Sequence, residues 1–177
     1  MYNNGSNTLL RHGQLFQSTP VGTQSRSITG VPGDPRPLHA AFVPFDNPSN
    51  WRVSSSANGR GINVPRTYMS RWYERVEGLP VVTLGSGTGR QVGQITHARV
   101  SVIKQSPARV LTNMIRLSAR AGAGDSGGPA YVVDSSGRHL LIGIIQGGAA
   151  GVHTNVSNIQ HIEYYLSVRV ITEERYW

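Results

Sequence analysis

The 177-residue chain has no cysteine, which excludes disulfide staples, thiol catalysis, iron–sulfur clusters and thiolate zinc sites. Nor does it show a four-ligand zinc spacing, so neither a metal nor a cofactor is expected. Lys104 is the single lysine, and 9 acidic residues stand against 17 basic ones for a net charge of +8. Long apolar runs are absent: the longest is a handful of residues, against the roughly 18 that suggest a membrane span. No basic head followed by an apolar stretch opens Met1 to Asn7, so no signal peptide is visible. Charged residues make up 15% of the chain and apolar ones 38%, too little charge for ordinary disorder. Arginine is the better phosphate fork, but Arg26, Arg36, Arg52, Arg60, Arg75, Arg99 and Arg138 are scattered singly, without an aromatic RNA-binding signature. A basic solvated surface is the simpler reading, and nucleic acid is not the expected partner.

What is abundant is turn chemistry: 21 glycines and 10 prolines fit short strands joined by many turns better than a helix bundle. Residues 1–37 read as irregular, punctuated by Gly5, Gly13, Pro20, Gly22, Gly30, Pro32, Gly33, Pro35 and Pro37. A small buried strand, Ala40 to Val43, follows. Asp46 to Asn63 reads as surface loop and Met69 to Glu74 as a short helical turn. From Leu79 the texture changes. Val81 to Leu84 is strand-like, and Val92 to Val102 alternates with period two over most of its length, the pattern of a half-buried antiparallel strand. Val110 to Leu117 is another strand. Ala130–Val133 and Leu140–Ile145 flank a hairpin turn at Asp134-Ser135-Ser136-Gly137. Ser157 can cap a final helix whose Ile159, Ile162, Tyr165 and Leu166 share one face. Residues 79–170 therefore read as several antiparallel strands followed by one helix.

Between two of those strands lies Gly122-Ala123-Gly124-Asp125-Ser126-Gly127-Gly128-Pro129. Such a glycine-rich backbone turns sharply and lets other chain segments approach closely. A serine there can present its hydroxyl while the amides of Gly124 and Ser126 point into a common space. Two converging amides make an oxyanion hole, the donor pair for charge developing on an attacked carbonyl.

The string Gly124 to Pro129 resembles the nucleophile motif of the chymotrypsin/trypsin-like serine endopeptidases. The likeness extends to Gly85-Ser86-Gly87-Thr88-Gly89 with Val92 to Thr96, similar to the turn and strand of the bacterial, streptogrisin-like branch. Asn113 to Arg116, Ile142 to Gly148 and Gly151 to Ser157 also resemble family segments. Together they span about residues 79–170, the second of the family's two barrels. The resemblance implies an all-β fold of paired antiparallel barrels: 1–78 as a partial N-terminal barrel and linker, 79–177 as a complete C-terminal barrel with terminal helix. It implies a peptide or protein substrate, and secretion. It makes Ser126 the nucleophile and gives Gly124 and Ser126 the oxyanion amides. Gln146, Gly147 and Gly148 become the strand that pairs with substrate backbone. Arg120, six residues before Ser126, falls at the floor of the specificity pocket, where it would favour an acidic residue before the cut; an arginine turned to solvent is the competing reading. Asp125 is expected to be buried against a cation, Arg90 or Arg99.

The triad's base and acid precede the serine in this family. That leaves His12, His39 and His97 as histidines, and Asp34 and Asp46 among the acids. None has the family's context. His12 sits in Leu9-Leu10-Arg11-His12-Gly13 rather than at the end of an apolar strand, and His39-Ala40-Ala41-Phe42-Val43 places a histidine where the family has its acid. Asp46 has a family-like spacing from Ser126 but lies past that strand's far end. His12 as base and Asp34 as acid complete the endopeptidase reading. A homologue that binds peptide through Gln146–Gly148 without cutting it is the alternative. An α/β-hydrolase elbow also fits Gly124-x-Ser126-x-Gly128, with Asp134 and His153 following in its order; the strand predicted at Ala130–Val133, where that fold needs a helix, argues against it.

Overall fold

The computed structural model describes residues 9–14, 17–47, 58–59, 62–63, 67–69, 75–105, 108–149 and 151–170; for the strands before residue 23 and between 58 and 69 it describes backbone pairing only. In chain order the strands are β1 (Leu9–Gln14), β2 (Gln17–Thr23), β3 (Arg26–Val31), β4 (Asp34–Phe42), β5 (Asn58–Gly59), β6 (Ile62–Asn63) and β7 (Thr67–Met69). There follow β8 (Pro80–Gly85), β9 (Gly89–Gln105), β10 (Ala108–Leu117), β11 (Pro129–Val133), β12 (His139–Ala149), β13 (His153–Asn158) and the helix α1 (Ile159–Leu166). The expected all-β architecture with one terminal helix is what forms.

Six of these strands pair in a closed cycle. β8 pairs with β9, β9 with β10, β10 with β13, β13 with β12, β12 with β11, and β11 returns to β8, every pair antiparallel. The alternation of apolar residues explains the closure. Val81, Ile95, Ile115, Ala130, Ile142 and Val156, one from each strand, point into a common interior with Leu117 and Val132. Their sequence neighbours Val82, Tyr131 and Leu141 face the other way, against Leu38 and Ala40 of β4 and Ile159, Ile162 and Leu166 of α1. Period-two strands thus feed two cores, one inside the ring and one beneath the helix.

The segment before residue 79 is built differently. β1 and β2 form a two-stranded sheet of their own, as do β5 and β6. The β3–β4 hairpin joins the main sheet where Arg36 of β4 meets Leu111 of β10 in parallel. β7 runs parallel to the start of β12. Among the described residues these strands do not close a ring.

Several local expectations change. Residues 1–37, expected to be irregular, contain β1, β2, β3 and the start of β4. Their glycines mark close approach as well as turns: a Cβ on Gly30 would collide with the Val110 carbonyl oxygen. Met69, expected in a helical turn, ends β7, while 70–74 lie outside the described residues. Part of the Asp46–Asn63 stretch read as loop forms β5 and β6. The helix is capped by Asn158, not Ser157: Asn158 Oδ1 accepts from Gln160 N at 2.9 Å. Ser157 is buried and its Oγ accepts the His39 amide at 3.3 Å instead, so β13 runs one residue further than the sequence suggests.

Candidate active site

The loop between β10 and β11 is organised around one buried carboxylate. Asp125 is 1% exposed. Its Oδ1 accepts from the amides of Gly87 (2.8 Å) and Thr88 (2.9 Å), and its Oδ2 from Thr88 Oγ1 (2.6 Å) and Gly122 N (2.8 Å). Burial alone would raise its pKa, but these donors outweigh that and hold the carboxyl below its usual range. The expected cation partner is therefore corrected. Arg90 and Arg99 are exposed, and their charges act on His139 and His161 instead. Oriented neutral donors satisfy a buried carboxylate without burying a second ion.

The receptor for Asp125 is the β8–β9 turn, Gly85 to Gly89. A side chain on Gly85 would overlap the Asp125 carboxylate, and one on Gly87 the Ala123 carbonyl. Ser86 Oγ adds a bond to the Gly124 carbonyl oxygen at 2.7 Å. The local signal for Ser86 and Thr88 is a hydroxyl residue on either side of Gly87, but only the fold brings that turn to Asp125.

At the loop's other end, Gly127 N donates to Ile145 O at 2.8 Å and Ile145 N to Gly128 O at 2.7 Å. This exchange pins the loop to β12. Ser126 is left exposed between the two anchors, its Oγ 3.5 Å from the Gln146 carbonyl oxygen. Within the loop the amides of Gly122, Asp125, Gly127 and Gly128 are all engaged. Among the described residues, those of Ala123, Gly124 and Ser126 are not. Gly124 takes a φ of 89°, open to glycine and disfavoured for other residues.

Gln146, Gly147 and Gly148 continue from Ile145. Along Gly147–Ala149, β12 pairs with β13 through Gly147–Asn155, Gly148–Thr154 and Ala149–His153. Its pairing with β11 has ended at Pro129–Ile144, so among the described residues the opposite flank is an open edge starting at the serine. Arg120 is exposed and lies between Ala119, whose carbonyl oxygen accepts from Thr154 Oγ1, and Ala121, whose amide donates to it; Thr154 is the β13 residue paired with Gly148.

The residues assigned as base and acid lie on β1 and β4. His12 lies on β1 opposite Thr19, where only backbone is described. Asp34 opens β4 and is exposed, its Oδ2 paired with Arg36 Nη2 at 2.8 Å. His39, half-buried on β4, has its Nδ1 3.0 Å from Arg109 Nη1. A guanidinium can only donate, so that nitrogen accepts. Burial first, then Arg109 and Lys104, lower the His39 pKa. This is the reverse of a triad histidine, whose Nδ1–H faces a carboxylate. His97 is exposed on β9, and Asp46 is exposed past the end of β4. Ser126 Oγ has no described histidine as partner.

The hydrolase-elbow alternative falls here. The segment after Ser126 is strand β11, and Asp134 closes the β11–β12 turn through Ser136 N, Arg138 N and Arg138 Nε. No three His, Asp or Glu residues among those described converge on a metal position. No described helix is long and apolar enough to cross a membrane.

A closed antiparallel ring, a terminal helix and an exposed serine beside the end of a strand define a trypsin-like serine protease domain. The chain belongs to the trypsin family, whose sequence model matches residues 49–168. Among solved structures it is similar to Cellulomonas bogoriensis chymotrypsin (24% identity, TM-score 0.67, covering 88% of this chain and 79% of that one). Thermobifida fusca protease A is similar too (24%, TM-score 0.69, 85% and 74%), as is Nocardiopsis protease (21%, TM-score 0.64, 85% and 74%). These likenesses are of the fold. No curated protein matches.

Proposed function

We propose that the chain is a serine endopeptidase acting through an acyl-enzyme on Ser126. The observation that carries this reading is an exposed hydroxyl with the unengaged amides of Gly124 and Ser126 beside it, at the start of an open strand edge. A substrate strand lies along Gln146, Gly147 and Gly148 by β-augmentation. Ser126 Oγ attacks the carbonyl carbon, and His12, oriented by Asp34, takes the hydroxyl proton. The oxyanion is held by the Gly124 and Ser126 N–H groups. The C–N bond then breaks, the proton passes to the departing amine, and water hydrolyses the ester by the same route reversed. Arg120 meets an acidic side chain before the cut.

A second reading has its own support: a homologue that binds peptide without cutting it. Asp34 is already paired with Arg36, and His39 faces a guanidinium. Fluorophosphonate labelling of the purified chain separates the two, with Ser126→Ala as control. Labelling lost in the variant establishes an activated serine; a folded chain that does not label is the binding homologue.

A further inference from the structure

Lys104 on β9 and Arg109 on β10 stand directly opposite each other in the antiparallel pair, both half-buried. Like charges so placed are destabilising, and partial burial strengthens the repulsion by weakening solvent screening. Among the described residues, acids do not relieve it. Asp34 pairs with Arg36, Asp134 with Arg138, and Asp125 is enclosed by its loop. Glu77 accepts from Ala98 N and Glu163 from Val170 N. Among the described residues no carboxylate reaches Lys104 or Arg109, and the single side-chain partner of Arg109 is the His39 ring.

Lys104 of this cationic pair reaches Gly147 of β12. Lys104 Nζ lies 3.5 Å from the position a Cβ would occupy on Gly147. Gly147 itself presents no side chain, so whatever lies over it meets the ammonium directly.

From this juxtaposition we infer that the site selects acidic peptides: a Glu or Asp side chain of the bound strand, at the residue lying over Gly147, places its carboxylate between Lys104 and Arg109. The inference rests on Gln146–Gly148 being the peptide-binding edge, and it adds to Arg120 a second, separate acid-recognising group. The unrelieved repulsion of the free protein is offset on binding, so the charge pair contributes to selectivity as well as affinity. His39, accepting from Arg109, fixes the guanidinium; it is a positioning residue.

The test uses the Ser126→Ala chain, which binds without turnover, and a neutral peptide in which one Glu is walked through successive positions. Each Glu peptide is compared with its Gln counterpart by fluorescence anisotropy. At one position Glu is expected to bind about tenfold tighter than Gln, and the preference should shrink at high salt. Lys104→Gln is expected to remove most of that preference while Lys104→Arg retains it, and the preference should survive Arg120→Gln at that position. A Glu-to-Gln ratio near one at every position overturns the inference, as does a ratio indifferent to Lys104→Gln. Failure of all peptides to bind overturns the binding edge with it. Fluorophosphonate labelling of the unsubstituted chain is scored separately: a chain that does not label but keeps the Glu preference loses the catalytic reading and keeps this one.

Discussion

The ring of β8 to β13 and the segment before residue 79 come from one chain but are held by different means. Each ring strand has two neighbours within the ring and contributes at least one side chain to a shared interior. The β3–β4 hairpin has one Cα pairing with the main sheet and depends on Leu38, Ala40, Ile28 and Phe42 packing beneath α1. A closed ring supplies its own core; an open hairpin borrows one. The parts of the proposed chemistry divide along the same line, with nucleophile, oxyanion amides and substrate edge on the ring and the assigned base and acid on β1 and β4.

The largest expected effect tests that division. If the N-terminal strands supply the base, His12→Ala should lower the rate of peptide cleavage by on the order of 10⁴-fold, while His39→Ala, whose ring faces Arg109, should not approach that loss. Equal rates for His12→Ala and the unsubstituted chain in a peptide assay would remove His12 from the mechanism.

Core truncations come next. Ile142→Ala, inside the ring, and Leu38→Ala, beneath the helix, each empty a fully buried position and should each cost about 3 kcal/mol in denaturant melts. Hydrogen exchange should tell them apart. Leu38→Ala is expected to expose the β3–β4 amides while the ring keeps its protection, and Ile142→Ala to weaken the ring. Loss of protection throughout in both variants would mean that the two regions unfold as one.

Asp125→Ala leaves the Gly87, Thr88 and Gly122 donors without an acceptor and is expected to cost about 3 kcal/mol, with the loss of labelling at Ser126 as its functional readout. The depressed folded pKa of Asp125 means that its contribution is present above its unfolded value of 3.8 and is lost as pH falls through the folded one. Acid unfolding begins earlier for a different reason. His39, His139, His153 and His161 all have pKa values lowered chiefly by burial, so the unfolded chain binds more protons below about pH 6.5 and stability should fall from there downward. A melting temperature flat between pH 7 and pH 5 contradicts this. The smallest effect is at the helix cap, where Asn158→Ala should cost about 1 kcal/mol and Ser157→Ala should act instead through the His39 amide.

The sequence was most legible where the signal is local. Period-two alternation located β9, the run Asp134–Gly137 located a hairpin, and Gly124 to Pro129 located the loop that carries the proposed nucleophile. It was least legible before residue 38, where glycines and prolines suggested irregular chain. Gly30 is required by the close passage of Val110, a contact 80 residues away in sequence, and no local pattern reports it.

By itself, then, the sequence determined the class of fold and the family, and pointed to the serine proposed here, because these follow from residue order over short stretches and from the faces strands present. Tertiary structure alone decided what satisfies Asp125, what His39 faces and which cation overlooks Gly147. Each of these depends on segments remote in the chain being brought together, and electrostatic partnership is a matter of ångströms between side chains, which residue order does not specify.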